Sequence, residues 1–337
     1  MTEQSRKPQI SVIMPVYNTK EEYFREAIES ILRQTFKNFE LLIVDDCSKP
    51  YIADIVKSYS DQRIKYFRLK ENSGAAETRN FALKKAMSPY IAFMDSDDIS
   101  YPERLQKQYD YLEKHPEIGC LGTKVEIVGD SAFNMCFPKP TNHKDIELWL
   151  LFDGCVFCQS SVMVRKEILD KNKIQYNSYY VPTEDYALWL DLVGLTKFAV
   201  LDECLGKYRF YSENISNRQK DKQIKKGNEA RIKAIIKYLS VHDLNENIWD
   251  RFLQEQNLTI EEIKHINYIL PKVYNKLLSK TYSSQEIGKL FKNHFRKLFL
   301  HTHTLYGHFL LIKSPLNKYF NIPLRWRLFC FITRGIF

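Results

Sequence analysis

Three clusters of polar residues, each closing an apolar run, carry the chemistry this sequence can offer. Asp95-Ser96-Asp97-Asp98 follows Tyr-Ile-Ala-Phe-Met at 90–94. Three carboxylates within four residues repel each other unless positive charge sits among them. A hard divalent cation, Mg²⁺ or Mn²⁺, is the natural partner, taking one or two carboxylates and filling its shell with phosphate oxygens and water. A solvated acidic loop capping the next helix fits the spacing equally well. Asp45-Asp46 closes Leu41–Val44, where a carboxylate can accept hydrogen bonds from a base or ribose, or cap the helix that opens near Tyr51. Pro15-Val16-Tyr17-Asn18 closes Ile10–Met14; Tyr17 can stack on a flat base, or the segment is simply a turn. Asn72-Ser73-Gly74 precedes a helix carrying Arg79, which can pair with phosphate or a base carbonyl, or be an ordinary surface arginine. Glu184-Asp185 sits at the start of a helical pattern; taken alone, these two read more readily as N-terminal helix charge than as catalytic groups.

The elements that must position these clusters alternate. Strands are expected at 10–14, 41–44, 64–68 and 90–94, and helices at 21–34, 52–59, 74–87 and from Pro102 to about His115. Strand and helix in regular alternation predict an α/β fold with a mostly parallel central sheet and helices on both faces. Ligands in such sheets bind beyond the carboxyl ends of the strands, where the three clusters lie. Between Thr123 and Phe210 the pattern is mixed, with strands expected at 124–128, 161–164, 197–201 and 205–210 and a helix at 184–194. After Ser212 it turns helical and polar, around 222–239, 246–255 and 259–278. The change predicts a catalytic domain over 1–215 and a helical, basic region over 216–337.

Composition narrows the classes. The chain has 337 residues, 44% hydrophobic and 27% charged, enough for a packed core. Its net charge of +9 is carried by one stretch: from Ile287 to Phe337 there are nine basic residues and no Asp or Glu. That stretch also holds Phe, Leu, Ile, Tyr and Trp326, a mixture suited to an anionic membrane surface or to packing as a helical subdomain. Basicity confined to one tail, with no recognisable nucleic-acid motif, argues against a nucleic-acid partner. No run of 18 apolar residues occurs and the first ten residues are polar, so neither a spanning helix nor a signal peptide is expected. Seven scattered cysteines disfavour a disulfide framework and favour a reducing compartment; Cys155-Val-Phe-Cys158 reads as a pair of buried structural thiols. There is no P-loop and no G-x-G-x-x-G, which removes support from nucleotide triphosphatases and Rossmann dehydrogenases.

Several segments together resemble family 2 glycosyltransferases, which have the GT-A fold. They are Ile10-Ser-Val-Ile-Met-Pro-Val-Tyr-Asn, Ser30-Ile-Leu-Arg-Gln-Thr-Phe, Glu40-Leu-Leu-Ile-Val-Asp-Asp-Cys-Ser, Asn72-Ser-Gly with Thr78-Arg-Asn, Phe93-Met-Asp-Ser-Asp-Asp-Ile and Pro102-Glu-Arg. They fall in family order and spacing over about 10–122, and Thr183-Glu-Asp-Tyr-Ala-Leu-Trp resembles the family's acidic ED motif. Cys47 stands where the family usually has Gly. The resemblance implies a GT-A Rossmann-like nucleotide-sugar-binding domain and inverting, metal-dependent transfer of a hexose or N-acetylhexosamine from a UDP-sugar. It implies donor contacts from Pro15, Val16, Tyr17, Asp46, Arg79, Asp95 and Ser96, with Asp46 reading the uracil edge and Tyr17 stacking on it. Asp97 is implied as the direct ligand of Mn²⁺ or Mg²⁺, and Asp185 as the base, with Glu184 as its alternate. The layout is similar to bacterial enzymes building lipopolysaccharide, lipooligosaccharide or O-antigen. That implies a glycan or lipid-linked glycan acceptor and a cytoplasmic location, peripheral on the inner face of the plasma membrane. A nucleotidyltransferase, which also needs metal and carboxylates, and a non-catalytic sugar- or nucleic-acid-binding protein are the alternatives.

Overall fold

A computed structural model describes residues 7–129, 136–137, 140–211, 218–254, 256–289, 291 and 311. In chain order the first half runs β1 (Ile10–Val16), α1 (Glu21–Leu32), β2 (Phe39–Asp45), α2 (Tyr51–Lys57), β3 (Ile64–Arg68), α3 (Ala75–Lys85), β4 (Tyr90–Phe93), β5 (Ile99–Ser100) and α4 (Arg104–Lys114). Then come β6 (Ile118–Gly129), β7 (Cys136–Phe137), α5 (His143–Phe152), β8 (Met163–Arg165), α6 (Lys166–Asn172), α7 (Glu184–Asp191) and β9 (Lys197–Phe210). Short 3-10 turns occupy Gln159–Ser161 and Ser178–Tyr180. The chain continues as α8 (Lys220–Leu239), α9 (Glu246–Leu253) and α10 (Ile260–Ser279).

The described strands form one sheet in the order β3-β2-β1-β4-β8-β6-β9-β5, with β7 pairing β6 at the side. From β3 to β4 every pairing is parallel. β1 and β2 sit in the middle of that half and are covered on both faces, so they are apolar runs rather than alternating ones. Beyond β4 the sheet becomes mixed. β8 runs antiparallel to both β4 and β6, β6 and β9 are parallel, and β5 returns antiparallel to β9. The parallel character expected from the alternation therefore belongs to the N-terminal half, where helices separate the strands; β5 and β8 are two- and three-residue strands that pair antiparallel.

The N-terminal core packs Phe24, Ala27, Ile28 and Ile31 of α1 and Leu105 and Leu112 of α4 with the sheet residues Ile10, Val12, Leu41, Ile43 and Ala92. The two strands expected at 197–201 and 205–210 are one continuous strand, β9, which absorbs the interruption as register irregularities opposite Thr123–Glu126. Among the described cysteines, Cys47, Cys120, Cys155 and Cys158 are free, and Cys204 on β9 is disulfide-bonded. Pairing depends on what the fold brings together, which scattered spacings do not reveal.

The described residues cluster into two compact units, one within 1–147 and 155–227, the other within 148–154 and 228–337. In the second, α9 buries Trp249 and Phe252, and α10 buries Ile263, Ile266, Leu270, Val273 and Leu277 at helical spacing. A capping box between Thr259 and Glu262 starts α10. Of the basic stretch at 287–337, only 287–289, 291 and 311 are described, so the membrane-facing segment expected there lies outside the described residues. No described helix is long and apolar enough to cross a membrane.

Candidate active site

β1, β2 and β4 are hydrogen-bonded neighbours running the same way, so their carboxyl ends deliver all three polar clusters to one edge of the sheet. Val16 pairs in register with Asp45, and the Val16 carbonyl accepts from the Asp46 amide at 2.9 Å. Pro15 and Val16 thus form the floor beneath the β2 end, and Tyr17, just past it, is 54% exposed.

The two adjacent aspartates do different work. Asp45 is fully buried and accepts from the Ser48 amide, the Tyr66 hydroxyl and Arg68, a purely internal role. Asp46 receives the Ser73 amide on one oxygen at 2.7 Å and the Gly74 amide on the other at 2.9 Å. Gly74 has φ of +84°, a conformation that favours glycine and lets both amides converge on one carboxylate. Asp46, almost fully buried, therefore fixes the turn into α3. Cys47, between Asp46 and Ser48, has φ of +59°. That left-handed backbone is the physical reason a glycine suits this position.

Arg79 on α3 joins segments far apart in sequence. It is buried, donating from Nη2 to Asp95 at 2.8 Å and from Nη1 to Glu184 at 2.7 Å. Its guanidinium lies 5.5 Å from the centroid of the Tyr176 ring. Burial pulls its pKa down, but Asp95 and Glu184 outweigh burial and hold it above the ordinary value. The arginine expected to face phosphate or base is thus forked between the 95–98 loop and the acidic pair that opens α7.

The 95–98 loop is held from below and from the side. Ser96 shares a 2.6 Å hydrogen bond with Thr19. The Asp95 amide donates to Ser160 Oγ at 2.9 Å, and Ser160 Oγ donates to Asp98 at 2.5 Å. Asp98 also accepts the Arg209 amide at 2.8 Å. Asp98 is buried, and burial with the charges of Asp97 and Asp95 pushes its carboxyl well up, marking it as a structural member of the loop. Fully buried Arg104 on α4 ties the Phe93 carbonyl to that of Ser160, joining β4 to the 3-10 turn. Asp97 accepts the Tyr211 hydroxyl at 2.8 Å, while Arg209 Nε donates to the Asp97 carbonyl at 2.7 Å. Burial, then the charge of Asp95, raises the Asp97 carboxyl; Tyr211 and Arg209 oppose that.

A buried carboxylate raised by the charge of its neighbour is one that a hard cation relieves, and Asp97 and Asp95 both offer oxygen ligands of the kind Mg²⁺ and Mn²⁺ take. No group of three or more His, Cys, Asp or Glu side chains is arranged to hold a metal among the described residues. A cation here would complete its shell with oxygens from a ligand and water.

Asp185, the second residue of α7, has its carboxyl pushed up to about 7. Burial is the main cause and the adjacent Glu184 charge the next; the Tyr186 amide and Arg79 pull the other way. A carboxylate titrating near neutrality suits general base catalysis. Glu184 is anchored by Arg79, so the two adjacent carboxylates are held differently. Nearby, burial pushes the thiols of Cys155 and Cys158 well up, so both stay protonated.

The structure gathers Asp95, Asp97, Arg79, Glu184 and Asp185 around the β4 edge, and Pro15, Val16, Tyr17 and Asp46 around the β1–β2 edge, with Ser96 bonded across to Thr19. Ser160, Tyr176, Arg209 and Tyr211 also belong to this neighbourhood and were not anticipated. Arg209 and Tyr211 lie at and just past the end of β9, far in sequence from the 95–98 loop; only the fold brings them to Asp97.

Residues 11–172 match the family model described as Glycosyl transferase family 2. An uncharacterized glycosyltransferase of Methanocaldococcus jannaschii is 35% identical over 208 residues, covering 60% of this chain and 71% of that protein. The O-antigen biosynthesis glycosyltransferase WbnJ of Escherichia coli is 33% identical over 213 residues, covering 61% of this chain and 81% of that one. Among solved structures, residues 1–349 of S. aureus TarS in complex with UDP-GlcNAc share the fold, with a TM-score of 0.58, 20% identity and coverage of 97% of this chain and 90% of that one.

Proposed function

The chain belongs to glycosyl transferase family 2, as a nucleotide-sugar-dependent glycosyltransferase of GT-A fold, and from that premise we propose which sugar chemistry its site performs. It moves a hexose or N-acetylhexosamine from a UDP-sugar to a glycan or lipid-linked glycan of a bacterial surface polysaccharide, in one inverting displacement. The relative named for O-antigen biosynthesis supports the substrate class, and the neighbour solved with UDP-GlcNAc supports the donor.

The observation that carries the mechanism is the Arg79 fork. One buried guanidinium holds Asp95 of the 95–98 loop and Glu184 beside Asp185, so donor-side and base-side carboxylates share one rigid frame. Tyr17 stacks on the uracil and Asp46 accepts from its edge. Asp97, with Asp95 beside it, would hold Mn²⁺ or Mg²⁺; when bound, such an ion offsets negative charge on the leaving diphosphate. Asp185 takes the proton of the acceptor hydroxyl as that oxygen bonds to the anomeric carbon on the face opposite the diphosphate. The bond from that carbon to the diphosphate breaks, its electron pair leaves with UDP, and the configuration inverts.

A thermal-shift screen of UDP-, GDP- and dTDP-sugars with and without Mn²⁺ tests the donor assignment. Ligands that bind the native state raise its melting temperature by mass action. A UDP-sugar should give the largest, Mn²⁺-dependent rise; a larger rise with GDP- or dTDP-sugars would overturn it. The nine basic residues at 287–337 further support residence on an anionic membrane face at the cytoplasmic side. Co-sedimentation with anionic liposomes that salt does not weaken would refute that.

A further inference from the structure

Seven large hydrophobic side chains stand exposed among the described residues, and two of the aromatic ones, Tyr17 and Tyr179, belong to the catalytic unit. Tyr17 lies at the donor end. Tyr179 is also 54% exposed and sits on the 3-10 turn Ser178–Tyr180, five residues before Glu184. We propose that Tyr179 is the platform on which a pyranose ring of the acceptor stacks; this rests on the glycosyltransferase reading above.

The placement is built rather than incidental. Upstream, the turn is anchored by buried Tyr176, whose amide and carbonyl exchange 2.8 Å hydrogen bonds with the Asn80 side chain and whose hydroxyl accepts from Gln159 at 2.5 Å. Tyr176 lies against Arg79, the residue that forks between Asp95 and Glu184. Downstream, the Thr183 amide donates to the Tyr180 carbonyl at 2.7 Å, one residue before α7 opens with Glu184 and Asp185. Between those anchors the turn is closed by Asn177, which accepts the Tyr179 amide on its side chain and the Tyr180 amide on its carbonyl, both at 3.0 Å. A short, doubly anchored segment thus carries an exposed ring six residues before the proposed base, Asp185.

The ring is oriented as well. Lys226 Nζ lies 3.2 Å from the Tyr179 ring centroid, and Tyr180 meets Tyr179 edge to face at 5.1 Å. Over half of the residue is exposed despite these contacts. Large aromatic surface left in water on a segment that leads into the proposed base is surface a ligand can cover. The apolar C–H face of a pyranose matches such a ring, and an aromatic side chain restrained in place loses little further freedom on binding. Tyr179 is a binding residue for the acceptor, with no part in proton transfer.

Saturation-transfer NMR with methyl β-D-glucopyranoside, methyl β-D-galactopyranoside and methyl N-acetyl-β-D-glucosaminide, on full-length protein loaded with UDP and Mn²⁺, tests this. At least one pyranoside should receive saturation on its ring C–H protons, and Tyr179→Ala should weaken its binding at least about fivefold. Tyr179→Trp should retain binding. UDP affinity, measured by calorimetry, should be the same in all three proteins, since the platform is assigned to the acceptor and not to the donor. Equal pyranoside binding by wild type and Tyr179→Ala, with UDP affinity intact, overturns the platform, as does UDP-loaded enzyme that binds none of the pyranosides. Failure of the wild type to bind UDP at all instead overturns the glycosyltransferase reading on which the platform rests.

Discussion

Neutralising the two charges that flank Asp185 should move the acidic limb of the pH–rate profile in opposite directions. The Asp185 carboxyl sits at about 7, so it is roughly half ionised at pH 7 and about one-tenth ionised at pH 6. Only the ionised form accepts a proton, so kcat/KM for the acceptor should fall about tenfold per pH unit below that value. Glu184 holds Asp185 up by like charge; removing the charge in Glu184→Gln should let it ionise more easily, and the limb should move to lower pH. Freed Arg79 acts in the same direction. Arg79→Gln removes the positive charge that favours the ionised form, so its limb should move to higher pH. Two unit charges about 6 Å apart at an effective dielectric near 20 interact by about 3 kcal/mol, worth about two pH units; partial solvent access reduces the expected displacement to about one. The assay is UDP release against pH between 5 and 9 for wild type and both variants, roughly the range over which the base changes state. Limbs that move together, or a wild-type limb near 4, would refute the assignment of Asp185 as a carboxylate tuned by Glu184 and Arg79.

Other outcomes follow from the same contacts. Asp97→Asn should abolish Mn²⁺-dependent turnover, while Tyr211→Phe, which removes the 2.8 Å hydrogen bond to Asp97, should raise the Mn²⁺ concentration for half-maximal rate about tenfold. Calorimetric Mn²⁺ titration in the presence of UDP checks both, and unchanged affinity in Tyr211→Phe would show that the phenol does not position Asp97. Cys47→Gly should leave stability within about 0.5 kcal/mol of wild type, because relief of the left-handed backbone offsets glycine's greater chain entropy. Cys47→Val should lower it by about 1–2 kcal/mol, measured by urea denaturation, since a β-branched residue is least tolerant of positive φ.

The N-terminal half was readable because its signals are local. β1, β2 and β4 are short apolar runs punctuated by polar residues, and α1 shows its buried face at helical spacing. Those patterns set the parallel order and bring Asp46, Asp95 and Asp97 to one edge. What lay hidden depends on long-range contact. Arg79 and Glu184 are 105 residues apart, and no spacing rule links them. Tyr211 reaches Asp97 across 114 residues, because β9 runs beside β6 and its end returns to the 95–98 loop. Helix α5 was missed for a local reason: His143–Phe152 crowds Ile, Leu, Trp, Leu, Leu and Phe together, so no clean helical stripe shows. The left-handed backbone at Cys47 escaped notice because cysteine is not a residue that announces positive φ.

The central claim is a single displacement in which Asp185 admits the acceptor to the face opposite the diphosphate. Proton NMR of the product formed from UDP-α-GlcNAc, or from whichever α-linked UDP-sugar the thermal-shift screen selects, reads the new anomeric configuration directly. The account predicts a β-linked product, with its formation lost in Asp185→Asn, whereas an α-linked product would mean that the configuration is retained and that Asp185 is not the base of an inverting transfer.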